Sequence, residues 1–156
     1  MYLYRREVAM PLDRRQSAGY MTNWAARLFA RAIDQKLKPL GLSSGYLPVF
    51  FALADGSART QKQLARDASI EQPTMAATLN RMERDGLITR EKDSDDRRVT
   101  HIRLSDQART NAADIQAMVN QVNETALSGL NSLEQRVFLD ALGKVTTALA
   151  KAEDAE

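Results

Sequence analysis

The side chains best suited to chemistry lie together in "PTMAATLNRMERDGLITREKDSDDRR", residues 73–98. Its end, "DSDDRR", sets three acids beside two arginines with nothing apolar to bury. A guanidinium is a rigid fork of N–H donors that matches a carboxylate or a phosphate. Arg97 and Arg98 on a thin polar loop therefore suit reach into a groove of a polyanion such as DNA. Asp96, two residues from Arg98, can fix that guanidinium through a bidentate pair. Such a pair in water contributes only about 0–1 kcal/mol to stability, so its value lies in orientation.

Other chemistries find little support. The chain has no cysteine, which removes disulfides, thiolate metal sites and thiol redox sensing. His101 is the single histidine and reads as a plain strand residue, so no metal is expected. There is no Ser/His/Asp arrangement, no glycine-rich phosphate loop and no pair of carboxylates in an apolar setting. Neither catalysis nor a cofactor is expected.

The charge is uneven along the 156 residues. Residues 1–58 carry 8 basic and 4 acidic side chains, 59–103 carry 10 and 8, and 104–156 carry 4 and 8. A net charge of +2 thus conceals a basic first two thirds and an acidic tail, and 16 of the 22 basic residues are arginine. The longest mainly apolar run, Tyr46 to Ala54, is broken by Pro48 and far too short to cross a bilayer. "MYLYRREVAMPLDRR" lacks the apolar core of a signal peptide, and a cytoplasmic location is expected.

The elements that must position these residues follow from periodicity and punctuation. Met21, Trp24, Leu28, Ile33 and Leu37 recur at helical spacing between Ser17 and Lys38. Pro39 and Gly41 stop that helix. Ser43 or Ser44 can cap a second helix that runs to about Ala54 with Pro48 inside it. Thr60 and Gln63 have the form of a capping box for a short third helix. Pro73 belongs in the first turn of a fourth helix, 73–84, ended by Gly86. On it Met75, Leu79 and Met82 form one stripe, and Thr74, Ala77, Thr78 and Arg81 are assigned to the other side. An ordinary solvated helix would more often fill that side with Glu and Lys.

"LITREK" and "RVTHIRL" then read as strands with the polar loop as a hairpin tip. Two short helices followed by such a hairpin give a mainly α (α+β) winged helix-turn-helix. Ser105 opens a long helix carrying Ile115, Met118 or Val119, and Val122. A last helix, Ser132 to Lys151, carries Leu133, Val137, Leu142, Val145 and Leu149. Residues 17–45 and 105–156 are expected to form a helical dimerisation region, and 46–104 the winged helix-turn-helix. The terminal helices hold more apolar surface than the centre can cover, which implies a homodimer.

Here the sequence resembles the MarR-type bacterial transcriptional regulators, in their SlyA-like branch. The resemblance rests on Asp96-Arg97-Arg98 followed after five residues by Leu104-Ser105, on "IEQPTMAATLNRMERDGLITR", and on "DQKLKPLGL". It covers about residues 17–110 and reaches the last helix by pattern only. It implies a homodimer interlocked through its first, fifth and sixth helices. The recognition helix 73–84 would lie in a major groove and the wing 93–98 in the flanking minor groove of a double-stranded, pseudo-palindromic operator. Carried over by position, Pro73, Thr74, Ala77, Thr78 and Arg81 would face the major groove. Arg97 or Arg98 would reach the minor groove, braced by Asp96.

Ala77 departs from the branch, where a basic residue is common. The family also implies release from DNA by a small aromatic or phenolic acid, and Trp24, Arg27, Tyr46 and Phe50 are the residues expected to line its pocket. A repressor is the expected role. The rival readings are a winged-helix protein-interaction module without DNA binding, for which Ala77 is the clue, and a protein that acts mainly by binding a small molecule.

Overall fold

The computed structural model of the chain describes residues 13–153. Most of the N-terminal stretch read for a leader lies outside the described residues. Seven α-helices are described: α1 Ala18–Leu37, α2 Leu47–Leu53, α3 Gln61–Asp67, α4 Gln72–Arg84, α5 Asp106–Thr110, α6 Ala112–Leu127 and α7 Ser132–Glu153. Strands β1 Ile88–Lys92 and β2 Thr100–Leu104 form an antiparallel hairpin between α4 and α5.

Local chemistry explains most of the boundaries. Ser17 caps α1 by accepting the Tyr20 N–H at 3.2 Å. At α3 both halves of the capping box form: Thr60 Oγ1 accepts the Gln63 N–H at 3.3 Å, and the Thr60 N–H donates to Gln63 Oε1 at 2.8 Å. Gly86, at φ +73°, lets the chain leave α4, with the Leu87 N–H returning to the Met82 carbonyl at 2.8 Å.

Two expectations change. The second helix does not run unbroken from Ser43 or Ser44. A 3-10 turn, Ser44–Tyr46, comes first and α2 starts at Leu47. Pro48 thereby falls in the first turn of α2, where its missing N–H costs nothing. The long helix expected from Ser105 is divided at Asn111 into α5 and α6. The Asn111 N–H is shared between the Arg109 and Gln107 carbonyls, a three-centre arrangement common where a helix ends.

The core lies between α2, α3, α4 and the hairpin, closed by α5 and the start of α6. Leu53, Leu64, Met75, Leu79, Met82 and Ile102 are fully buried in it. A bridge between Arg59 and Ile102 adds one residue's worth of a third strand beside β2. Helix α1 packs on α6, where Lys36 Nζ donates to Gln121 Oε1 at 3.1 Å. Between these two helices runs an open trough of about 650 Å³, mostly lined by Ala25, Leu28, Phe29, Ala32, Val122 and Ala126. Helix α7 exposes Leu133, Val137, Leu139, Val145 and Leu149 to solvent. Among the described residues no helix is long and apolar enough to cross a membrane.

Candidate nucleic-acid interface

Helix α4 is fixed by its inward stripe. Met75, Leu79 and Met82 are at most 1% exposed, so packing of this stripe holds the middle of the helix with its other face outward. Pro73, Thr74, Ala77 and Arg81 are all exposed on that outer face. At its N-terminus, Glu71 makes no side-chain capping bond, which leaves the Thr74 N–H of the first turn without a side-chain partner. Unpaired N–H groups at a helix start favour an anion.

Thr78 corrects the sequence reading: it is only 6% exposed, turned toward the lobe. It stands three residues after Met75 and four before Met82, so helical geometry puts it at the edge of the apolar stripe rather than opposite it. Its hydroxyl accepts a long hydrogen bond of 3.4 Å from Arg81 Nη2.

The loop between β1 and β2 is ordered by one carboxylate. Asp93 Oδ1 accepts the N–H groups of Asp95 and Asp96, each at 2.9 Å, and Oδ2 lies 2.9 Å from His101 Nε2. The Asp96 N–H, the His101 ring and the Asp95 N–H hold the Asp93 carboxyl down at about 2. Asp96 in turn binds Arg98 at both oxygens: Nε donates to Oδ1 at 3.0 Å and Nη2 to Oδ2 at 3.1 Å. The Arg98 backbone N–H adds a third bond to Oδ1 at 3.0 Å. Arg97, next to it, is exposed and makes no side-chain hydrogen bond or ion pair among the described residues. The wing therefore offers one braced and one free guanidinium.

Several positioning contacts were not foreseen. Arg90 on β1 donates to Asn80 Oδ1 at 2.9 Å and pairs with Glu83 Oε2 at 3.1 Å, tying the first wing strand to α4. The Ser105 hydroxyl donates to the Gly86 carbonyl at 2.7 Å while accepting the Ala108 N–H at 3.1 Å. It thus joins the end of the hairpin to the end of α4 and caps α5 as well. The first of the two had only a helix-then-strand order as its signal. The second had the Leu104-Ser105 pair itself.

The four residues expected to line a ligand pocket do not share one. Tyr46 and Phe50 are buried in the lobe core. The Tyr46 hydroxyl is already used, donating to Asp85 Oδ2 at 2.8 Å. Trp24 is exposed on α1, edge-to-face with Tyr20 and beneath the Arg14 guanidinium at 5.5 Å. Arg27 lines a separate open cleft with Arg31, Asp34, Lys38 and Leu42.

A helix pair, a recognition helix with a small polar outer face and a two-stranded wing with arginines at its tip define a winged helix-turn-helix protein. Residues 40–99 match the model of the MarR family. A transcriptional regulator named PA3341 is 31% identical, with a TM-score of 0.72, over 85% of this chain and 98% of that one. A MarR family transcriptional regulator from Listeria monocytogenes, solved with a 26mer DNA, has a TM-score of 0.80 at 19% identity, over 88% of this chain and 91% of that one. BpsR of Bordetella bronchiseptica, whose DNA binding is regulated by 6-hydroxynicotinic acid, has a TM-score of 0.78 at 20% identity, over 88% and 98%. The chain belongs to the MarR family of transcriptional regulators.

Proposed function

We propose that the chain is a cytoplasmic, homodimeric repressor that binds a pseudo-palindromic double-stranded operator. Residues 17–45 and 105–156 form the dimerisation region and 46–104 the DNA-binding domain. The apolar residues exposed on α7, with the open trough between α1 and α6, supply a surface for the second copy. A two-fold axis would set the two copies of α4 about one DNA turn apart, ~34–36 Å. Each α4 lies in a major groove, presenting Pro73, Thr74, Ala77 and Arg81, and each wing enters the flanking minor groove.

The observation that carries this reading is the wing tip, where Arg97 and Arg98 are exposed on a loop shaped by hydrogen bonds to Asp93 and Asp96. Guanidinium groups presented on such a loop suit a narrow minor groove, whose negative potential is deepest at A·T runs. The test is fluorescence anisotropy with the DNA upstream of the chain's own gene against random DNA, at several salt concentrations. Binding to the upstream DNA tighter by ~10³ or more, with a steep salt slope, is expected. No binding to either DNA at low salt would favour a protein-interaction module instead.

Response to a small aromatic acid is a second part of the reading. The cleft beside Arg27 supports it, because Arg31 and Lys38 add two more cations for a carboxylate. The 6-hydroxynicotinic acid response of BpsR supports the ligand class. A rise in melting temperature with millimolar aromatic carboxylates is expected, and lost in Arg27→Ala.

A further inference from the structure

Helix α4 ends in a way that electrostatics alone disfavours. Its C-cap residue is Asp85, a carboxylate placed where the partial negative charge of the helix dipole gathers. A lysine or an asparagine there would complement the dipole better. The acid is nevertheless held firmly. Tyr46 donates its hydroxyl to Asp85 Oδ2 at 2.8 Å, and Arg84 Nε donates to Oδ1 at 3.1 Å. The Tyr46 bond is the main reason that the Asp85 carboxyl lies below the usual carboxylate range.

The two bonds differ in what they can position. Arg84 is the neighbouring residue of the same helix and its side chain is 70% exposed, so its contact moves with the helix end. Tyr46 is 7% exposed and belongs to the 3-10 turn ahead of α2. That turn is tied on its other side to α1, since Asp34 Oδ1 accepts the Ser44 N–H at 2.6 Å. The Tyr46–Asp85 bond thus links the end of α4 to a turn anchored on α1, while the apolar stripe holds the middle of the helix.

On this basis we infer that Tyr46 and Asp85 are positioning residues for sequence reading, pinning the end of the recognition helix at the angle its outer face needs. The inference rests on the reading of the chain as a sequence-specific DNA-binding protein. Base recognition needs donors placed within about half an ångström, whereas phosphate attraction tolerates more slack. Loss of the pin therefore lowers discrimination while leaving general DNA affinity in place.

The probe is a duplex enriched from a random pool by the wild-type protein, compared with an unselected duplex by anisotropy across a salt series. Tyr46→Phe keeps the ring in the core and removes only the donor. Its preference for the enriched duplex should fall about 2–13-fold, the net worth of one ordinary hydrogen bond, with random-DNA affinity and salt slope unchanged. Asp85→Asn retains an acceptor oxygen and should keep the wild-type preference, even if loss of its charge tightens binding to all DNA. Adding Asp85→Ala to Tyr46→Phe should lower the preference no further.

An unchanged preference in Tyr46→Phe would overturn the pin. So would an equal loss on both duplexes, which marks a general folding defect. If the wild-type protein enriches no sequence while still binding DNA, the sequence-specific reading itself fails and the pin falls with it.

Discussion

Helix α4 and the wing would grip the same DNA, yet they are held by opposite means. Three side chains of α4, Met75, Leu79 and Met82, are closed off from water. The loop 93–99 has Val99 as its one apolar residue, and that is only half-buried. Its shape depends on hydrogen bonds to Asp93 and Asp96 in contact with solvent. Buried apolar contacts open only with much of the lobe, while solvent-exposed hydrogen bonds can open locally at low cost. The helix is therefore the element that sets register, and the wing is an adjustable cationic arm whose contribution should depend on salt.

Removing the helix's support has the largest expected effect. Leu79→Ala should destabilise the fold by about 2–5 kcal/mol and remove binding to every DNA together, as followed by denaturant unfolding and anisotropy. Stability close to wild type would show that the helix is not core-held. Next, Arg81→Ala should cost about 1–3 kcal/mol on the enriched or natural operator and relax preference at particular base pairs, with little change on random DNA. Arg97→Ala and Arg98→Ala should each weaken binding to all sequences alike and flatten the salt slope by about one unit. If an arginine of the wing changed base preference more than Arg81 does, the division of labour between the two regions would be reversed.

Asp96→Ala sharpens the comparison through its sign. By Coulomb attraction alone, losing a carboxylate should tighten binding to DNA. Loss of the Arg98 brace opposes this, because a freed long side chain must be ordered again on binding. A net weakening of a few-fold is expected if orientation governs the wing. Tighter binding would mean that the wing acts only as a store of charge.

Which parts of this were legible beforehand follows from the range of the interactions. Ser17, Thr60 with Gln63, Gly86 and Ser105 marked helix ends because each acts within three or four residues of itself. The Asp96–Arg98 pair was legible for the same reason. The burial of Thr78 was legible too, against its assignment to the outer face: positions 75, 78, 79 and 82 complete one helical stripe. Tyr46 meets Asp85 across 39 residues, and Arg90 meets Asn80 across a helix end and a turn. Pairings of that kind depend on how elements pack, so no local pattern announces them. An aromatic in an apolar run looks equally suited to a ligand pocket and to a core. Burial alone separated Tyr46 and Phe50 from Trp24.

The smallest expected effect concerns pH and tests what holds the wing at its base. The Asp93 carboxyl is held at about 2 against an ordinary 3.8, first by the Asp96 N–H, then by His101 and the Asp95 N–H. A lowered carboxyl contributes its bracing above the ordinary value and loses it as pH falls through the lowered one. Asp93 should therefore stay ionised, with the loop closed on it, at every pH from neutrality down to about 4. The carboxyl-carbon NMR shift of Asp93 should titrate with a midpoint near 2, and the hydrogen-exchange protection of the Asp95 and Asp96 amides should be flat above pH ~4. A midpoint at the ordinary carboxylate value would mean that these bonds are not kept in solution.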